Sequence, residues 1–429
     1  MQIRIVKTTD AGYVPFLTKV LARCGNREDD IEQRVAEIVG AVRRQGDRAL
    51  FRYTKLYDGI RLSPASVEVK ESEIRDAMAK TPAKDLATLR LAARRIMVFH
   101  RRQLQKSWQY RDGLGILLGQ RISPLERVGV YVPAGKACYP STVLMNVLPA
   151  KVAGVKEIIM TSPIGNNGGI ILAAAKIAGV DRIFRVGGAQ AIAALAFGTP
   201  TIPRVDKIVG PGNIFVATAK RLVFGDVNID SIAGPSEILL IVDATADPNH
   251  VAADMLSQAE HDEMAAALCV TPSVAVAKKV QAALTSKLRA TKRQAITVKA
   301  LDKYGAIIVA RGFKECVEIA NTIAPEHVEV IVKDPMKWAR AIRHAGAIFV
   351  GAYSAPPLGD YFAGPNHVLP TGGSARFFSP LGTYDFLKRT TIIQAEKRAL
   401  RSLAPRITHL ARLEGLDDHA RAVEARFES

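Results

Sequence analysis

Residues 128–163 read VGVYVPAGKACYPSTVLMNVLPAKVAGVKEIIMTSP: a short apolar run, a loop with Pro and Gly, a longer apolar stretch and a second short apolar run. Short apolar runs bounded by turn residues predict buried strands, and the longer stretch between them predicts a helix. The strands are expected over 128–132 and 158–161, with the helix over 141–153.

This unit repeats along the chain. Helix 169–178, strand 183–186, helix 189–196, strand 207–209 and helix 213–223 continue it. A second series runs through strand 238–242, helix 249–261, strand 267–270, helix 274–288, strand 306–309, helix 314–323, a strand after His327 and a strand at 347–350. Strands joined through helices pair in parallel by right-handed crossovers, so the expected class is α/β with two Rossmann-like doubly wound domains. The first domain, 128–236, would be inserted into or lead the second, 237–379.

Outward from this pattern, residues 1–127 read as mostly helical, packing partly on the second α/β domain. Ile31, Val35, Ile38, Val39 and Val42 follow Asp29 and Asp30 at helical spacing, and Gly46-Asp47 offers a stop. A further amphipathic helix is expected over 84–105 and a short strand at 67–69. The tail, 380–429, reads as helical and polar, too small for a core of its own.

At 429 residues the chain exceeds one ordinary core. Its 48% hydrophobic content with 6% aromatics suits helices packed on parallel sheets. No run is long enough to span a bilayer and no basic-then-apolar signal segment opens the chain, so a cytoplasmic protein without membrane partners is expected. Cys24, Cys138, Cys269 and Cys316 lack a CxxC pair, which argues against a disulfide framework and a thiolate zinc site. Cys138 is read as a small hydrophobe rather than a nucleophile. The balance of 59 basic against 41 acidic residues, +18, raises nucleic acid as a partner. The basic clusters fall on helical patterns without interleaved aromatics, so a solvated basic face is favoured and no nucleic-acid partner is expected.

Four glycine-bearing loops punctuate the pattern: Pro133-Ala134-Gly135-Lys136, Val186-Gly187-Gly188-Ala189-Gln190, Val209-Gly210-Pro211-Gly212-Asn213 and Ala233-Gly234-Pro235-Ser236-Glu237. None is a GxGxxG fingerprint, and each alone could be a turn. Gathered at one sheet edge with Lys136, Gln190, Asn213 and Ser236, they favour a bound nucleotide. Ile323-Ala324-Pro325-Glu326-His327-Val328-Glu329-Val330 sets a carboxylate and an imidazole at a strand entrance. On an extended chain the two would point to opposite sides and serve different protons. From the octapeptide alone, two solvated polar residues is the favoured reading. Gln258 and His261 share a helix face, while Asp360, His367 and Asp418-His419 add further donors. Zinc accepts such nitrogen and oxygen ligands, yet spacing this wide leaves a metal site and scattered surface residues equally open.

In this order the segments VGVYVPAGKACYPSTVLMN, RVGGAQAIAALAFGT, DKIVGPGNIFVATAKRLVFG, IAGPSEI, QAEHD, APEHVEV, LGDYFAGPNHVLPTGG and YDFLKRT resemble histidinol dehydrogenase, over roughly residues 30–422. The resemblance implies a zinc enzyme that oxidises L-histidinol through histidinal to L-histidine while reducing two NAD. It implies one zinc per subunit on Gln258, His261, Asp360 and His419, with Glu326 and His327 as the acid/base pair. Tyr131, Gln190 and Asn213 would contact NAD. Ser236, His367 and Glu414 would contact substrate, together with the zinc ligands and His327. It further implies a homodimer in which the C-terminal tail completes the neighbouring site. Departures are Ala134 where the family repeats Gly, and Phe197 and Phe215 where Tyr is common. Three alternatives stand beside it: a related zinc/NAD dehydrogenase of another small diol such as a sulfonated propanediol, a basic nucleic-acid-binding protein, and a non-catalytic zinc or nucleotide binder.

Overall fold

A computed structural model describes residues 2–23, 29–133, 138–165, 168–232 and 234–428. By compactness the chain groups into one unit of residues 1–103 and 125–386 and another of 104–124 and 387–429. In chain order the strands begin with β1 (Ile5–Lys7), β2 (Trp108–Arg111) and β3 (Leu117–Pro124). There follow β4 (Arg127–Tyr131), β5 (Glu157–Thr161), β6 (Arg182–Phe184), β7 (Lys207–Val209) and β8 (Asn228–Ile229). The series ends with β9 (Glu237–Val242), β10 (Ala266–Thr271), β11 (Ala306–Val309), β12 (His327–Ile331), β13 (Ala347–Val350) and β14 (Leu387–Gln394).

The larger unit holds two wholly parallel sheets, ordered β6-β5-β4-β7-β8 and β1-β11-β10-β9-β12-β13. Each is wound outward from a central strand first one way and then the other, which sets a switch point between β4 and β7 and another between β9 and β12. This is the doubly wound α/β architecture expected from the alternating pattern. Helices cover both faces, so a central strand such as β9 (EILLIV) is buried throughout. Its alternation divides the core: Ile238, Leu240 and Val242 join one apolar cluster, Leu239 and Ile241 another.

The N-terminal region is mostly helical, as expected, and it also supplies a strand to the second sheet. β1 pairs with β11 (Ile5↔Ile307), so the segment that builds the first sheet is inserted between the strands of the second. Around Glu68 the chain makes an antiparallel bridge to Phe184, with Val69 N–H donating to Ile183 O at 2.8 Å, and so extends the first sheet's edge. The helix expected over 84–105 is Ala83–Arg101, followed by β2 and β3.

In the smaller unit the tail is helical, as expected, but it also holds a strand. β14 pairs antiparallel with β3 from Leu387↔Pro124 to Gln394↔Leu117, and β3 pairs with β2, before helices Lys397–Leu413 and Asp417–Glu424. β14 carries mostly exposed polar residues and β2 is only four exposed residues long, so neither gives a readable apolar pattern. No helix among the described residues is long and apolar enough to cross a membrane.

Leu240→Ala, in the fully buried middle of β9, should destabilise the fold by roughly 2–5 kcal/mol, read as a lower urea midpoint at unchanged slope. A shift worth less than about 1 kcal/mol would mean that this strand does not carry the core.

Candidate active site

Helix Phe313–Ile323 ends on Ala324, whose φ of 49° is the one positive value on a non-glycine residue among the described residues. That left-handed turn and the ring of Pro325 redirect the chain before His327 opens β12. Glu326 therefore lies outside the strict alternation of the strand. The two side chains do not point to opposite sides; they line one cavity, with His327 Nδ1 3.6 Å from Glu326 Oε2. Nor are they solvated, at 9% and 4% exposure.

The amide N–H of Glu237 donates to Glu326 Oε2 at 3.0 Å, and the Gln258 side-chain amide approaches the same oxygen at 3.4 Å. His327 Nδ1 stands 3.1 Å from the carbonyl oxygen of Glu237. A carbonyl can only accept, so Nδ1 carries a proton and the neutral tautomer keeps its lone pair on Nε2. Nε2 is buried without a hydrogen-bond partner among the described residues, with Asp360 Oδ1 3.8 Å away. Burial pushes Glu326 up to about 7, against the pull of the neighbouring imidazole. Burial opposes charge on His327, but the carboxylates of Glu326 and Asp360 outweigh it and lift the ring to about 9.

Gln258 occupies the last turn of helix Pro248–Ala259, and His261 lies just past its end rather than on the helix. His261 Nδ1 faces Gln258 O at 3.3 Å, which leaves Nε2 for a ligand. Asp360 sits on a single wide turn, Gly359–Ala363, a form common at functional sites. His367 Nδ1 donates to Asp360 O at 3.1 Å, and burial pushes that ring down, towards its neutral form. Ser236, Gln258, His261, Glu326, His327, Asp360 and His367 line a cavity of 330 Å³ with Pro133, Tyr139, Ser141, Thr142, Pro211, Gly212 and Tyr361. That volume suits a small ligand.

The first sheet offers the carboxyl ends of β4 and β7 to this cavity, as open α/β sheets do. The second sheet offers the opposite ends, because Ser236 precedes β9 and His327 begins β12. The four glycine loops accordingly do not share one sheet edge: the fourth runs into β9. Tyr131, Gln190 and Asn213 surround the first switch point without lining the cavity. Tyr131 OH accepts from Gly188 N–H at 3.2 Å, Gln190 Nε2 donates to Asp58 Oδ2 at 3.3 Å, and Asn213 caps helix Ile214–Val223. Gly210, at φ 114°, lies so close to Tyr131 that a Cβ would meet its carbonyl oxygen at 2.1 Å. Its N–H donates to Asp230, and its carbonyl accepts from the buried Lys220 at 3.0 Å.

A family model for histidinol dehydrogenase matches residues 21–427. The chain belongs to the histidinol dehydrogenase family. Histidinol dehydrogenase of Syntrophotalea carbinolica is 52% identical over 427 residues, 99% of each chain. That of Aquifex aeolicus is 53% identical over 399 residues, 93% of each chain. The crystal structure of histidinol dehydrogenase from Elizabethkingia anophelis superposes with a TM-score of 0.92 at 32% identity, covering 99% of this chain and 98% of that one. Membership in this family makes the protein an oxidoreductase.

Of the residues that the histidinol dehydrogenase resemblance picks out, Glu414 and His419 belong to the smaller unit, and both are exposed. Lys136 and Ala134, and so the loop shape at issue there, lie outside the described residues, as do Cys24 and Ala233. Phe197 and Phe215 carry the guanidinium groups of Arg43 and Arg34 over their rings. Gln258, His261 and Asp360 form a donor set of amide oxygen, imidazole nitrogen and carboxylate, which fits zinc. Among the described residues no group of three His, Cys, Asp or Glu side chains is arranged to hold a metal ion by itself. Sequence reasoning passed over Glu237, whose backbone meets both Glu326 and His327. The available signal was an acidic residue opening an otherwise apolar strand.

Two residues beyond His327, Glu329 is pushed up to about 9 by burial and then by the Asp254 carboxyl beside it. Its raised value stabilises the fold below the ordinary carboxyl range and loses that contribution as pH climbs through about 9. Glu329→Gln, neutral throughout, should flatten the fall of the thermal midpoint between about pH 5 and pH 9. Parallel curves for the two proteins would mean that Glu329 is ionised in the folded chain.

Proposed function

We propose that the chain oxidises L-histidinol through L-histidinal to L-histidine, passing two hydrides to NAD, with one zinc per subunit. The observation that carries this reading is the unpartnered His327 Nε2, facing a small-molecule cavity that Glu326, Gln258, His261 and Asp360 share. NAD would be held at the first switch point by Tyr131, Gln190 and Asn213, and it supplies the hydride acceptor. Zinc, taken by Gln258, His261, Asp360 and His419, supplies Lewis-acid polarisation and a fixed point for the amino alcohol. Ser236, His367 and Glu414 would complete the substrate contacts.

In the first oxidation His327 Nε2 takes the alcohol proton as hydride leaves the carbinol carbon. The Nδ1–H bond to the Glu237 carbonyl holds the ring in the tautomer this requires. Asp360 would be one of the residues holding the zinc, and its carboxylate would then no longer support an imidazolium, leaving His327 able to act as a base near neutral pH. Glu326 then takes a proton from water as the water oxygen adds to the aldehyde, while the His327 imidazolium returns its proton to the carbonyl oxygen, which gives the hydrate and a neutral ring. Burial has already raised the Glu326 carboxyl to about 7. His327 acts again on the hydrate as the second hydride leaves. Burial of both groups keeps a reactive α-amino aldehyde away from bulk water. Buried thiols at Cys269 and Cys316, neither in a disulfide, suit a cytoplasmic enzyme.

The purified protein should form NADH from histidinol, lose that activity on chelation and regain it with zinc. Glu326→Gln should slow oxidation of supplied histidinal at least about tenfold more than the first oxidation of histidinol. His327→Asn should lower turnover in both, with substrate affinity little changed. Equal loss in both half-reactions of Glu326→Gln would remove the water-activating role.

The tail belongs to the same proposal. The helix Lys397–Leu413 and its continuation expose Leu410, Leu413 and Leu416 beside Glu414 and His419, as a surface meant for another copy would. We place this tail on the partner of a homodimer, where it would complete the neighbour's site. Co-expressed His419→Ala and His327→Ala chains should then recover roughly a quarter of wild-type activity under random pairing, because a mixed dimer has one site with both lesions and one with neither. Verified mixed dimers without activity would exclude the shared site.

A further inference from the structure

We propose that Glu237, anchored by Arg23, is a positioning residue that holds Glu326 in place for its work on water. This rests on the role given to Glu326 above. Glu237 does not line the cavity, so it acts through its neighbours. Its amide N–H donates to Glu326 Oε2 at 3.0 Å, and its own Oε2 accepts from the Glu326 amide N–H at 3.1 Å. Each glutamate thus binds the other's backbone, and the Glu326 carboxylate is fixed at one oxygen.

Ladder pairing does not explain this exchange. The register of β9 with β12 begins at Ile238↔His327, so the two glutamates stand one residue outside it. There the side chains take over the hydrogen bonding that strand pairing would otherwise supply. The second oxygen, Glu237 Oε1, accepts from Gly372 N–H at 3.0 Å and pairs with the Arg23 guanidinium. Arg23, at the end of helix Tyr13–Ala22, also donates to Val20 O at 2.6 Å. One carboxylate therefore joins three segments remote in sequence.

The charge is needed as well as the shape. Every hydrogen bond of the Glu237 carboxyl is an accepted one, so the ionised form is the one the site fits. Burial pushes Glu237 towards its neutral form, and Arg23 with the two N–H donors opposes that. A glutamine would turn an NH₂ group towards an N–H and leave the buried guanidinium without a counter-charge. The His327 contact uses the Glu237 carbonyl, which a side-chain change leaves intact.

The test is a double-mutant cycle on the zinc-loaded enzyme, with histidinol and histidinal supplied separately. Glu237→Gln should lower kcat for histidinal oxidation by about tenfold or more, with KM within about twofold and a smaller effect on histidinol oxidation. Added to Glu326→Gln, it should cost less than about a further twofold, since the group it holds is already gone. Should the stranded Arg23 charge prevent folding, Arg23→Met with Glu237→Gln removes both charges and takes the same place in the cycle. Losses that multiply, or a Glu237→Gln enzyme with unchanged histidinal kcat, would overturn the proposal. Glu326→Gln alone reports on the underlying reading, because equal damage to both half-reactions there would discard the water role whatever the cycle gives.

Discussion

The parallel register between β9 and β12 is the constraint on which the rest depends. It sets His327 against Ile238 at the point where the sheet's winding reverses. From there the Glu237 carbonyl is in reach of the imidazole, and the Glu326 carboxyl is in reach of the Glu237 amide. A slip of one residue would turn every β12 side chain to the other face of the sheet. It would also take Val328 and Val330 out of the apolar cluster they share with Leu239 and Ile241, so core packing and active-site geometry are specified by one alignment.

Two sheets of the same winding are used from opposite ends. The first presents the carboxyl ends of its strands, where glycines allow close backbone approach and helix starts favour anionic groups. The second presents strand entrances and the end of helix Pro248–Ala259, where carboxylates, imidazoles and an amide gather. The two halves differ in character: prolines, a glycine and hydroxyl residues line one, and carboxylates and imidazoles the other. The parallel strands keep both sets on rigid supports, and Glu326 and His327 stay buried.

Legibility in the sequence followed how much of the signal was local. Strands 207–209, 306–309 and 347–350 and helices 169–178 and 274–288 have the boundaries the pattern gives, because each is an apolar run closed by turn residues. β1 escapes, being three residues long and paired with a strand some 300 positions away. β14 escapes because its residues are largely exposed and polar, and β2 because it is four exposed residues long. In the site, Ser236, Gln258, His261, Asp360 and His367 were visible as residue types, but their convergence is a property of topology that spacing does not encode. The shared orientation of Glu326 and His327 was misread because one left-handed residue, Ala324, breaks the alternation before the strand begins. Glu237 was hidden in plain apolar surroundings.

The β3–β14 ladder has a consequence for the solubility of shortened chains. Eight residues of the tail occupy one side of β3, from Leu387 to Gln394. Cutting the chain before β14 would leave β2 and β3 as a bare hairpin, marginal in water, with the longer strand's hydrogen-bonding groups open along an entire side. Such an edge is a template for strand addition by any other chain. A truncated protein would thus gain a tendency to aggregate along with its missing helices, and the polar, unremarked strand at 387–394 acts as a guard on that edge.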